Sequence, residues 1–170
     1  MQLNRGPGFK DVVSNNFAPI LDALWRADIK QAEDGLNALL LKSISFHDSA
    51  ENFYHGFVAG LFCTADCIVK SNRESGDGRS DISVHDSKHA RGMILELKCA
   101  GAKESLDRAA QAALSQIGRK RCDVELDLPR DAILRFGIAF RRKTCAVRAA
   151  ASPDAARQGR RRKARDAGER

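Results

Sequence analysis

By type and spacing, Asp81, Glu96 and Lys98 are the residues of this 170-residue chain best suited to chemistry. Residues i and i+2 of a strand point to the same face. Glu96-Leu97-Lys98, closing the aliphatic run that begins at Gly92, therefore projects a carboxylate and an ammonium side by side. Opposite charges at the end of a buried strand are costly to desolvate unless they are paired or meet a metal. Asp81 opens the preceding strand, and an antiparallel hairpin turning at 86–91 would land it beside Glu96. Two carboxylates and an ammonium at one sheet edge offer the hard oxygen ligands that Mg²⁺ takes while keeping waters for a substrate phosphate. A metal there polarises a phosphoryl oxygen and acidifies a bound water, and Lys98 could orient that water or stabilise developing charge. The competing reading is a surface ion pair between Glu96 and Lys98, worth about 0–1 kcal/mol.

The elements that must position these residues are legible from periodicity. Residues 10–24 have patchy helical spacing, expected to break or kink near Pro19. Ile29, Ala32, Leu36, Leu39 and Leu40 mark a clearer helix over 29–42. A third helix, about 50–64, is apolar almost all round and so is expected to be buried. Asp48 with Glu51 looks like its capping box, and Gly56 and Gly60 suggest close approach of another backbone. Cys67-Ile68-Val69 reads as a short strand, 71–80 as a polar loop, and 81–85 as a half-buried strand of period two. After the Glu96 strand, Leu106, Ala109, Ala110, Ala113, Leu114 and Ile117 form one stripe of an amphipathic helix over 103–120. A helical turn is expected near 123–128, then a strand from Ile133 to Phe140 paired with Thr144–Arg148 as a hairpin. The order is that of an α/β or α+β sheet flanked by helices.

Composition sets wider bounds. Hydrophobic residues at 43% and charged residues at 30% suit one globular domain. No apolar run reaches the roughly 18 residues of a membrane span, and residues 1–10 carry no signal-peptide core, so no membrane association and a cytoplasmic location are the expectations. Five widely spaced cysteines lack zinc-site spacing and read mostly as small core residues. The net charge of +7 is uneven. Residues 141–170 hold 11 Lys and Arg against 3 Asp and Glu, leaving 18 against 19 for residues 1–140. The basicity is therefore assigned to a disordered tail at 149–170, with residues 1–9 as an N-terminal extension and 10–148 as the domain.

Several stretches taken together carry a resemblance. Glu51-Asn-Phe-Tyr-His-Gly-Phe57, Lys70 to Ile82, Ile94-Leu-Glu-Leu-Lys98, Ala113-Leu-Ser-Gln-Ile117 and Phe136-Gly-Ile-Ala-Phe140 occur in that order. Residues 10–148 thereby resemble the PD-(D/E)XK nuclease-like domain found C-terminal to an AAA-type ATPase-like domain in bacterial and archaeal proteins. The resemblance implies a restriction-endonuclease-like core, a central mixed sheet flanked by helices. It implies metal binding by Asp81 and Glu96, a catalytic Lys98, and help to the metal from Glu51 on the preceding helix. It places Gln116 near substrate or Lys98, and Arg79, with Arg73, in the substrate-contacting loop before Asp81. Ser80 and Cys122 depart from the pattern, standing where an aromatic residue and a tyrosine are expected. The ATPase-like domain is missing from these 170 residues, which reads as a solitary module or a remnant of a longer gene.

The resulting expectation is a Mg²⁺- or Mn²⁺-dependent nuclease acting on DNA, or on RNA, with an ATPase partner in trans as a further possibility. The alternative is a non-catalytic module that binds nucleic acid or protein, and a third is a decayed gene product. Arg160-Arg-Arg-Lys163 in the tail could add phosphate contacts without sequence preference, or could simply be solvated.

Overall fold

The computed structural model describes residues 9–43, 51–63, 66–71, 81–120 and 126–150. Three helices come first: α1 (Phe9–Trp25), α2 (Ile29–Ser43) and α3 (Glu51–Phe62). A three-strand meander follows, β1 (Ile68–Ser71), β2 (Ile82–Asp86) and β3 (Arg91–Cys99). Helix α4 (Leu106–Lys120) then leads to the hairpin β4 (Ile133–Arg141) and β5 (Thr144–Ala149). The five strands form one sheet in sequence order, antiparallel throughout except that β3 and β4 run parallel. Such a parallel pair needs a crossover, and α4 supplies it.

The strand alternation sorts the core into two layers. Met93, Leu95 and Leu97 of β3, with Phe136, Ile138 and Phe140 of β4, pack against residues of α1, α2 and α3. Ile94 and Ile133 meet Ile117 of α4 on the opposite face. There the contact is built of small residues: Ala109 and Ala110 of α4 lie against Ala139 and Ala146. The central strands are covered on both faces, so β2 is buried at four of its five residues, not half-buried as its alternation suggests.

The two edges of the sheet differ. Helix α2 covers β5: Asn37 Oδ1 accepts the Cys145 N–H at 2.8 Å and Glu33 Oε2 accepts that of Val147 at 2.8 Å. Residues four apart on the helix thus serve residues two apart on the strand, satisfying backbone groups an edge leaves open. Strand β1, at the other edge, is short and mostly exposed.

Other expectations are corrected. Helix α1 is continuous through Pro19, which lies on its exposed side. Gly56 and Gly60 of α3 do not mark a close approach; both are exposed, and an added β-carbon would meet nothing within 4 Å. Gly56→Ala and Gly60→Ala are therefore expected to stabilise the protein, each by up to about 1 kcal/mol, measurable as a rise in thermal midpoint; a fall in either variant would show that the helix needs its glycine. Of the described cysteines only Cys145 is buried, while Cys63 is exposed and Cys67 and Cys99 are half-buried. A 3-10 turn follows Pro129, at Arg130–Ala132; part of the turn expected near 123–128 lies outside the described residues, as do the Asp48 cap, Ser80, Cys122 and the tail beyond Ala150.

The β2–β3 turn is held by a contact the sequence did not announce. Asp86, buried at 5% exposure, accepts hydrogen bonds from the His89 N–H, from His89 Nδ1 at 2.7 Å and from Arg91 Nε at 2.8 Å. The Arg91 guanidinium also sits 4.1 Å from the Trp25 ring centroid, tying the turn to α1. Burial alone would raise the Asp86 carboxyl, but the Arg91 and His89 hydrogen bonds outweigh it and hold the group below its ordinary range. A depressed folded pKa means that the stabilisation is fully present above the unfolded value of about 3.9 and is lost as pH falls through the lower folded value. Asp86→Asn is expected to cost about 1–3 kcal/mol at neutral pH, with the gap to wild type closing below about pH 4. Denaturant melts at several pH values check this; a gap that stays constant into acid would remove the carboxylate as its cause.

Candidate active site

The β2–β3 hairpin brings the predicted residues together. Its last pair toward the loop is Ile82 with Leu95, so Asp81 stands opposite Glu96 one step further along. Residues directly opposed in this way have β-carbons about 5 Å apart. Asp81 Oδ2 accepts the Leu97 N–H at 2.7 Å. The carboxylate thus binds the main chain of β3 between Glu96 and Lys98, which fixes its orientation.

Glu96 and Lys98 lie on the α4 face of the sheet, the face of Ile94. Glu96 is 2% exposed. Its neighbour on β4 is Gly137, and Lys98 stands beside Ala139. Gly137 is what allows α4 to lie this close: a β-carbon there would collide with the Ala110 carbonyl oxygen and the Leu114 amide nitrogen. The roof over Glu96 is thus helix backbone packed on a strand that has no side chain at that point.

Lys98 is half-exposed, and its ammonium lies 3.4 Å from Glu104 Oε1 in the loop entering α4. Glu104 Oε2 also accepts the Gly101 N–H at 3.3 Å, and its main-chain carbonyl accepts from Arg141 Nη1 at 2.9 Å. Glu104 escaped sequence reasoning because it falls within the helix expected over 103–120, whereas α4 starts at Leu106 and Glu104 lies in the turn before it, folded back toward Lys98.

The remaining predicted residues are not gathered here. Gln116 is half-buried on α4, beside the stripe that carries Ile117, with no hydrogen bond to the triad. Glu51 begins α3, and its side chain lies outside the described residues, as do Arg73 and Arg79 entirely. Tyr54 and His55 serve packing. Tyr54 is buried, stacked on Phe140 at 4.6 Å, with its hydroxyl donating to the Arg142 carbonyl at 2.7 Å. His55 Nε2 pairs with Ser71 Oγ at 2.6 Å, joining α3 to β1. Among the described residues no group of three or more His, Cys, Asp or Glu side chains is arranged to hold a metal. Two carboxylates, however, are the donor set with which proteins commonly hold Mg²⁺, water and substrate completing the shell.

A protein-family model described as the PD-(D/E)XK nuclease superfamily matches residues 49–150. That span takes in α3, the whole sheet and α4, and the mixed sheet with its helices fits the restriction-endonuclease-like fold of that superfamily. No curated protein and no solved structure matches the chain. No helix among the described residues is long and apolar enough to cross a membrane.

Proposed function

The chain belongs to the PD-(D/E)XK nuclease superfamily, and from that premise we propose that it is a metal-dependent nuclease hydrolysing phosphodiester bonds of DNA, or of RNA, at Asp81, Glu96 and Lys98. The observation that carries the reading is the continuation of the β2–β3 register, which opposes Asp81 to Glu96 with Lys98 two residues on along the same face.

Asp81 and Glu96 would hold a Mg²⁺ or Mn²⁺ ion, with Glu51 as a further candidate ligand. Such an ion supplies Lewis acidity toward a phosphoryl oxygen and lowers the pKa of water. The protein residues supply position and charge. The Leu97 N–H presets the Asp81 carboxylate, and burial beneath α4 keeps Glu96 away from bulk solvent. Lys98 can exchange its loose contact with Glu104 for a non-bridging phosphate oxygen, and there its ammonium offsets the charge that builds up as water adds to phosphorus. Arg73 and Arg79 are proposed to contact the phosphate backbone, Gln116 to approach substrate from α4, and an AAA-type ATPase to act as a partner in trans.

The test is cleavage of plasmid DNA and of RNA by the full chain in Mg²⁺, Mn²⁺ or EDTA. Metal-dependent cleavage that is lost in Lys98→Ala is expected. A folded protein that cuts neither substrate with either metal sinks the reading.

A further inference from the structure

The basic residues are not all in the tail. Arg141-Arg142-Lys143 form the β4–β5 turn, and they line a cleft of about 610 Å³ together with Tyr54, Cys99 and Ala100. Cys99 and Ala100 directly follow Lys98, so the cleft lies at the same end of the sheet as the candidate active site, with Tyr54, Cys99 and Phe140 on the α1–α3 face and Lys98 on the α4 face.

The backbone of this turn is anchored. The buried Tyr54 hydroxyl donates to the Arg142 carbonyl at 2.7 Å. The Thr144 hydroxyl donates to the Arg141 carbonyl at 2.9 Å. Arg141 Nη1 reaches the Glu104 carbonyl at 2.9 Å, and Lys143 Nζ reaches the Leu41 carbonyl at 3.4 Å. Arg142 is the exception. Its side chain is exposed and makes no hydrogen bond or ion pair among the described residues. Its φ of 53° lies in the left-handed region, where glycine would sit with less strain. The positive φ is what a two-residue hairpin loop asks of its first central residue; what the turn leaves over is an exposed guanidinium with no partner among the described residues.

We propose that the β4–β5 turn is a docking surface for the phosphate backbone of a nucleic acid strand, with Arg142 as its principal contact. The choice of polyanion rests on the nuclease reading above. A strand whose scissile phosphate lies at Asp81, Glu96 and Lys98 runs past the C-terminal ends of β3 and β4 onto this turn. An open groove lined by cations tracks a backbone without reading sequence. Glu104 separates the two regions: its carboxylate faces Lys98 and its carbonyl holds Arg141.

The experiment measures binding of a fluorescein-labelled DNA duplex to the full chain in EDTA, over a range of salt, for wild type, Arg142→Gly and Arg142→Glu. Arg142→Gly is expected to keep or raise the thermal midpoint while weakening binding roughly fivefold and making the log–log salt slope shallower by about 1. Arg142→Glu should weaken binding further. In Mg²⁺ the glycine variant should raise KM and leave kcat alone. Wild-type affinity and salt slope in both variants would overturn the proposal, as would a wild type that binds no duplex. Equal competition by inorganic phosphate or a nucleoside monophosphate would also overturn it, because a small-anion pocket is not a strand surface. Binding in EDTA needs no turnover, so the two readings fail separately. Arg142-dependent binding without cleavage removes the hydrolase and keeps the surface. Cleavage with an Arg142-independent KM removes the surface and keeps the hydrolase.

Discussion

Glu96→Gln is expected to abolish metal-dependent cleavage, by more than roughly 100-fold, because even residues behind a metal ligand cost 10–100-fold when lost. The substitution keeps the volume of a side chain that is 2% exposed, so packing against α4 should survive. The charge it removes stands opposite Asp81, and directly opposed like charges destabilise a hairpin. In EDTA the variant should therefore melt at or above the wild-type temperature. Mg²⁺ should raise the wild-type melting temperature through selective binding to the folded state and leave the variant unmoved. Asp81→Asn should behave alike toward Mg²⁺ and cleavage, with a smaller gain in EDTA because its carboxylate also holds the Leu97 N–H. Cleavage by Glu96→Gln within tenfold of wild type would remove Glu96 from the chemistry. A variant that is inactive but also unfolded in EDTA would show instead that the buried charge is structural.

Gly137→Ala is the second large effect. One methyl group there meets main chain, the Ala110 carbonyl oxygen and Leu114 amide nitrogen, with Leu114 Cα at 2.9 Å. No rotamer change can make room, so α4 must lift from β4. Overpacking of this kind costs typically 1–3 kcal/mol and sometimes more; about 3 kcal/mol is expected, a fall in melting temperature of about 6–12 °C. Gly35 and Gly92 are internal controls: the nearest obstacles to a β-carbon are side-chain atoms, Ile20 Cγ1 at 2.7 Å and Leu126 Cδ1 at 2.8 Å. Their alanine variants should cost less, since those side chains can shift. Because Glu96 stands beside Gly137, the lifted helix should also lower activity by more than the loss of folded protein explains. Differential scanning calorimetry with activity per folded molecule would measure both. A melting temperature within 2 °C of wild type would mean that α4 does not lie where the contacts place it.

The juxtaposition of the three candidate residues could be read from the chain because it is local. Asp81 immediately precedes β2, and Glu96 and Lys98 lie on β3 across one short turn, so counting residues across a hairpin is enough to juxtapose them. The parts that could not be read depend on long-range packing. Gly56 and Gly60 suggested a close backbone approach that the fold does not make, whereas Gly137, which the sequence does not single out, is the one of the three that faces a backbone; what lies across a face has no signature within the segment itself. The alternation in β2 suggested one wet face, but Ser83, paired with Ile94 on that face, is buried as well, and nothing within the strand itself announces burial of the second face. Glu104 and Arg142 sit in turns, where side-chain direction follows from anchoring contacts such as Tyr54 to the Arg142 carbonyl. The basic excess of residues 141–170 was assigned to the tail because charge was counted by position along the chain; Arg141, Arg142, Lys143 and Arg148 belong instead to the β4–β5 hairpin.

The parallel pairing of β3 with β4 also sets an order of events. Asp81 and Glu96 are 15 residues apart, within a hairpin that can close by itself, and β4 with β5 is a second local hairpin. Glu96 and Gly137 are 41 residues apart, and they cannot pair until α4 has crossed between the two units. Loop closure of that length comes late, since contacts distant in sequence are slow to form. The two carboxylates are thus expected to meet before the roof over them is in place, and the pairing that completes the sheet is also the one that buries Glu96.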